Sequence, residues 1–188
     1  MEKYTAPDRK RIPYGMMNFA VIRRDDCYYV DKTRFIPMIE EADKFFFFIR
    51  PRRFGKSIFL SMLRAYYDIA QKEKFDKRFG NLWIGSHPTP MQGQYQVLYL
   101  DFSRASGGNG SLAENFDRYC SMAMDVFGKV YEPYYFPGYA KKMEAQPDFV
   151  SKLNYLNFHS AEYGAKLYLI IDEYDNFTNV VLNEQGNE

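Results

Sequence analysis

The chain has 188 residues with 25 Lys and Arg against 24 Asp and Glu, and a net charge of +1 supplies no global field to draw in nucleic acid or an anionic membrane. Its 17 Phe and 17 Tyr exclude a disordered chain and point to one ring-rich core with at most an appendage; two cysteines, Cys27 and Cys120, are too few for a disulfide framework and are expected as reduced thiols. Met1-Glu2-Lys3-Tyr4 lacks the apolar start of a signal peptide, and the longest apolar run is far short of the about 20 residues of a membrane span, so a soluble, cytoplasmic protein with no membrane partner is expected.

Residues 1–13 are polar, the composition of a loosely held tail. Phe19-Ala20-Val21-Ile22 is a short apolar stretch, and Tyr28-Tyr29-Val30 favours extended structure. Asp31 or Thr33 can cap a short helix reaching about Ala42, with Phe35, Ile36 and Ile39 inward and Pro37 delaying or kinking its start. Phe45–Ile49 is apolar without alternation, the mark of a strand covered on both faces. From Ser57 the apolar residues recur at helical spacing through Ala70, and a short amphipathic piece follows (Phe75, Phe79, Leu82).

After a loop from Gly85 to Gly93, Val97–Phe102 reads as a second buried strand, and Gly107-Gly108-Asn109-Gly110 as a flexible connection. Ser111-Leu112-Ala113-Glu114 is a capping box opening a helix whose core stripe is Leu112, Phe116, Cys120, Met124 and Phe127. Residues 131–147, with three prolines and five aromatics, are expected to be irregular. A further helix runs from about Asp148 to Tyr163, with Phe149, Leu153 and Leu156 inward and Gly164 as its C′ residue. Leu167–Ile171 is the third buried strand and ends in Asp172-Glu173. Strand–helix–strand–helix–strand order predicts an α/β protein with a mainly parallel sheet.

The chemistry concentrates at two strand ends. Gly55-Lys56-Ser57 sits between the Phe45–Ile49 run and a helix, the order a nucleotide phosphate-binding loop needs. There, loop and helix N–H groups face phosphate, the Lys supplies a point charge and the Ser hydroxyl ligates Mg²⁺. Residues 50–57 thus occupy a Walker A position, with Arg50 where the first glycine of that pattern stands, and 167–173 a Walker B position. Arg52, Arg53, Phe54, Gly55, Lys56, Ser57 and Ile58 are the candidate nucleotide-binding residues, and Phe54 is expected to pack rather than react. Ser57 and Asp172 are the candidate Mg²⁺ residues; Lys56 and Glu173 are the candidate catalytic ones, Glu173 orienting the attacking water. Arg50, Arg52 and Arg53 either neutralise a triphosphate, contact a neighbour, or pair with carboxylates such as Asp101 or Glu173. Asp101 and Ser103 either reach a metal or nucleotide or simply close a strand, and His87 and His159 stand at no metal-ligand spacing.

Five segments carry a family resemblance: Ile12-Pro13-Tyr14-Gly15, Tyr28–Thr33, Ile49–Ser57, Leu100–Ser103 and Ile171–Phe177. With them the chain resembles the AAA-ATPase-like family, in which Arg at the first-glycine position is usual. The resemblance implies a phosphate-loop NTPase three-layer sandwich with an extra strand between the phosphate-loop strand and the Asp-Glu strand. It implies ATP and Mg²⁺ as cofactors, with Lys56 on phosphate, Ser57 and Asp172 on Mg²⁺ and Glu173 on water. Family members are generally longer and commonly end in a restriction-endonuclease-like domain. The chain therefore looks like an N-terminal fragment with an incomplete sheet: a lead-in segment, 1–43, packing on a partial ATPase domain, 44–188. An open sheet edge invites self-association, so a homo-oligomer is among the expected states. Nuclease chemistry is not expected, because the only [DE]-x-K match, Asp8-Arg9-Lys10, has no upstream Asp. ATP·Mg²⁺ binding, with hydrolysis in the intact protein, is the resulting expectation. A nucleotide-gated switch with little turnover is the alternative, and near-neutral charge argues against a nucleic-acid module led by the arginine loop.

Overall fold

The computed structural model describes residues 9–42, 44–49, 51, 54–105 and 110–175. The polar start of the chain, Gly107–Asn109, and Arg50, Arg52 and Arg53 lie outside the described residues. The chain divides into two units, Met1–Tyr66 with Glu73–Gln92, and Tyr67–Lys72 with Gly93–Glu188.

In the first unit the apolar stretch at Phe19 is helical: α1 spans Phe19–Arg24, capped by the Asn18 side chain, which accepts from the Val21 N–H. Thr33–Phe35 forms a 3-10 turn leading into α2, Ile36–Glu40, so Pro37 delays the α-helix as expected. Ile36 is buried, but Phe35 is exposed, against the expected inward face. Helix α3 covers Lys56–Tyr67 and buries Phe59, Met62, Leu63 and Tyr66, while α4 covers Phe75–Phe79. Rings tie these elements together: Phe19 stacks on Phe79 at 4.9 Å and meets Tyr29 edge-on at 5.1 Å, and Phe48 stacks on Phe59 at 4.8 Å. Each such side chain removed from water contributes roughly 1.5–3 kcal/mol. The Phe19 N–H also donates to Ser61 Oγ at 3.0 Å, which joins the start of α1 to the middle of α3.

The expectation of a buried strand over Phe45–Ile49 is not met. The segment has no ladder partner among the described residues, and Phe45, Phe47 and Ile49 are about four-fifths exposed. An all-apolar strand needs sheet neighbours and two covered faces. The extra neighbour strand that the family resemblance implies is not among the described residues.

The second unit is built on β1, Gln96–Asp101, and β2, Leu167–Asp172, paired in parallel from Gln96↔Leu167 to Asp101↔Asp172. Between them run α5 (Leu112–Tyr131), α6 (Tyr139–Glu144) and α7 (Phe149–Glu162). The capping box at Ser111 and Glu114 forms in both directions, and the α5 stripe buries Cys120, Met124 and Phe127 against Leu98, Leu100 and Leu156. Asp148 caps α7 and Gly164 takes φ +63° after it, as the sequence predicts. Helix α6 was not expected: the aromatic, proline-containing stretch folds over α5 by burying Tyr139 and Met143. Strand β2 also departs from expectation, because Leu167, Leu169 and Ile171 leave one face exposed while Ile170 is buried. The described residues therefore form a mixed α/β chain with a two-stranded parallel sheet. No helix among them is long and apolar enough to cross a membrane.

Both cysteines are free and buried. Burial, with the Asp117 charge second, pushes the Cys120 thiol up to about 12. The thiolate is the reactive form, so in a Cys27→Ser background Ellman's reagent at about pH 8 should label Cys120 only once denaturant is added. Labelling of the native protein at the rate of a free thiol would show that this core opens.

Candidate functional site

The first part of the site is the entry to α3. The Phe54 N–H donates to the Pro51 carbonyl at 3.3 Å, closing a turn, and Gly55 follows at φ +78°. A side chain is strained at that angle, and a Cβ at Gly55 would stand 3.3 Å from Lys32 Nζ. Glycine is thus the residue that lets the loop swing into the helix there. The Phe59 N–H donates to the Gly55 carbonyl at 3.1 Å, the first bond of α3. By helix geometry the N–H groups of Lys56, Ser57 and Ile58 then point out of the N-terminal end, where the macrodipole favours an anion. Lys56, Ser57 and Ile58 are half-buried, and Phe54, expected to pack, is 62% exposed.

Lys32 was not among the predicted site residues. Its ammonium beside Gly55 brings a cation to the loop from a distant part of the chain. Its neighbours hold it there. Asp31 Oδ1 accepts from the Thr33 N–H (2.8 Å) and hydroxyl (2.7 Å), and Oδ2 accepts from the Trp83 N–H at 2.7 Å. The Thr33 hydroxyl, fully buried, accepts from the Ile84 N–H at 3.1 Å. Burial alone would raise the Asp31 carboxyl, but the bonds from Trp83 and Thr33, with the Arg34 charge, outweigh it and hold it below its usual range. The signal in the sequence was Asp-Lys-Thr itself, a polar triplet whose outer residues are structural and whose middle one faces the loop.

The second part is the C-terminal end of β2. Asp172 is 2% exposed; its Oδ2 accepts from the Tyr99 hydroxyl and its Oδ1 from the Glu173 N–H, both at 2.9 Å. Glu173 is held at φ 54°, a left-handed conformation uncommon for a side-chain-bearing residue and characteristic of sites where the chain is over-determined. Asp101, level with Asp172 in the ladder, closes its strand: Oδ1 accepts from the Ser103 N–H and hydroxyl, and Oδ2 pairs with Arg104 Nε at 3.3 Å. His87 stacks on Trp83 at 4.4 Å, and His159 sits among Tyr155, Phe136 and Tyr139 with Nδ1 2.9 Å from Glu162. Among the described residues no cluster of His, Cys, Asp and Glu could hold a metal by itself.

Phe54 to Ile58 thus form one continuous group with Lys32 in the first unit, and Asp172 and Glu173 form another in the second. Together the elements define a mixed α/β protein with a glycine-hinged basic helix entry and a parallel strand ending in an acidic pair. The chain belongs to the AAA-ATPase-like family, whose model, described as "Predicted AAA-ATPase", matches residues 13–188. A curated relative, an uncharacterized protein in the vnfD 5′ region of Azotobacter chroococcum mcd 1, is 54% identical over 60 residues. That stretch is 31% of this chain and 12% of the relative's length, so the chain matches a small part of a longer protein. No solved structure matches the chain.

Proposed function

We propose that the chain is a partial phosphate-loop ATPase domain that binds ATP·Mg²⁺, with hydrolysis in the intact cytoplasmic protein. The observation that supports this most is Gly55 at φ +78°, opening α3 directly onto Lys56 and Ser57. Residues 1–43 are the lead-in to an ATPase domain over 44–188. The helix entry suits the phosphates of the cofactor: it offers backbone N–H groups at a helix N-terminus and two ammonium groups, Lys56 and Lys32. Magnesium, when bound, neutralises phosphate charge.

Lys56 and the α3 amides, with Phe54, Gly55 and Ile58 shaping the loop and Arg52 and Arg53 adding charge, bind and orient the phosphates. On this reading Ser57 and Asp172 would each offer a hard oxygen donor to the metal. Tyr99 and the Glu173 N–H keep the Asp172 carboxylate aimed, and Glu173 orients water. The test is the Glu173→Gln variant. ATP affinity by calorimetry should stay within about twofold, and phosphate release in the intact protein should fall by about 100-fold or more. Turnover that is slow and unchanged by the substitution would favour the nucleotide-gated switch. A folded protein that binds no ATP would overturn the reading.

A further inference from the structure

Near-neutral overall charge conceals a segregation. The first unit carries 17 Lys and Arg against 10 Asp and Glu, a net +7, and the second carries 8 against 14, a net −6. Taken by itself, the first unit has the charge of a polyanion-binding module.

Its cations also converge. Along the seam between α1 and α4 lies a cleft of about 270 Å³ whose lining includes Ala20 and Val21 and the cations Arg24, Lys74, Lys77 and Arg78. Four of its lining side chains are cationic and none is acidic. Lys77 and Arg78 of α4 and Lys74, the residue just before it, all line the cleft, while Asp76 does not. On the α1 wall, Arg24 Nε pairs with Asp25 at 2.8 Å. The two walls are fixed relative to each other. Phe19 of α1 stacks on Phe79 of α4, Arg23 Nε donates to the Arg78 carbonyl at 2.7 Å, and the Arg23 guanidinium also bonds Asn81. The helices that carry these cations therefore need not rearrange to meet a phosphate, although the lysine side chains still lose rotamer freedom on binding.

We propose that this α1/α4 cleft binds the phosphate backbone of a nucleic acid. Its four cations come from both walls, so the cleft offers an extended polyanion more than one point of contact. Insertion into a membrane would instead need exposed apolar anchors among the cations, and the apolar lining residues Ala20 and Val21 are half-buried. None of its lining residues belongs to the helix entry at Gly55.

The experiment is fluorescence anisotropy of the whole chain with fluorescein-labelled single-stranded and duplex DNA between about 50 and about 200 mM salt. Affinity should fall steeply with salt, and Lys74→Glu/Lys77→Glu should weaken binding at least tenfold and flatten the log–log salt slope by about 2. Both lysines are exposed, so the variant should keep its circular dichroism and its ATP affinity. The matched charge reversal in the second unit, Lys141→Glu/Lys166→Glu, should leave binding within about twofold of the parent. No salt-dependent binding by the parent overturns the proposal, and so does an equal loss in the second-unit control. Loss of DNA binding in Lys56→Ala but not in Lys74→Glu/Lys77→Glu would place the nucleic acid at the phosphate loop and also overturn it. Co-sedimentation with phosphatidylserine vesicles without DNA binding would assign the cleft to a lipid surface and overturn it as well.

Discussion

Replacing Lys56 by Ala is expected to weaken ATP·Mg²⁺ binding by about ten- to a hundredfold, read by calorimetry. The lysine opens α3 next to a glycine whose conformation few other residues adopt, so on the proposed reading it adds a positive charge at the end of the helix where the unpaired N–H groups lie. A hydrogen bond to a charged group contributes roughly 1.5–3 kcal/mol, which is about one to two orders of magnitude in affinity. The fold should not change, because Ala is a good helix former and Lys56 lies at the helix start rather than in the core. Lys32 brings a second ammonium to Gly55 from outside the helix, so Lys32→Ala is expected to cost affinity as well, though less. Unchanged affinity in Lys56→Ala would remove the phosphate loop from the site.

Lys152→Ala is expected to destabilise the protein by about 2–4 kcal/mol, a large fraction of the total for a chain this size. Lys152 is 3% exposed, and its ammonium has three acceptors for three donors: Asp125 Oδ1 at 2.5 Å and the carbonyls of Met143 and Glu144 at 3.1 Å each. One side chain thereby ties α5, the end of α6 and α7 together. Truncation takes the donor from the Asp125 carboxylate and the Glu144 carbonyl, while the Met143 carbonyl keeps its bond from the Gln146 N–H at 3.1 Å. The cost stays below the upper range for a broken buried pair because the Asp125 side chain is 24% exposed and can recover some hydration. Lys152→Met, which keeps the stem, should recover part of the loss. Urea unfolding would measure both, and a change under about 0.5 kcal/mol for the Ala variant would mean the clamp is not structural.

Both predictions rest on residues with different visibility in the sequence. Lys56 stands out in the sequence as a candidate because Gly-Lys-Ser at the start of a helical spacing is a local pattern with a chemical meaning. Lys152 was not, since nothing in Ser-Lys-Leu distinguishes a buried ammonium from a solvated one. Lys32 and the cleft residues Lys74 and Lys77 belong with Lys152. Their surroundings are made by Gly55 and by α1, more than twenty and fifty residues away respectively.

The same division runs through the fold. By itself the sequence determined the features governed by neighbours along the chain. These are the Ser111–Glu114 capping box, the caps of α7 at Asp148 and Gly164, the spacing of α3 and α5, and the apolar character of β1 and β2. Each follows from hydrogen bonds or burial periods within a few residues. Tertiary structure decided whether an apolar run becomes a strand, because a strand exists only through its partners. Gln96–Asp101 and Leu167–Asp172 found each other, and Phe45–Ile49 has no partner among the described residues. It also decided that residues 139–144 coil against α5 despite flanking prolines, and that charges balanced along the chain collect with one sign in each unit. Packing and charge placement depend on which distant segments meet, and no local pattern encodes that.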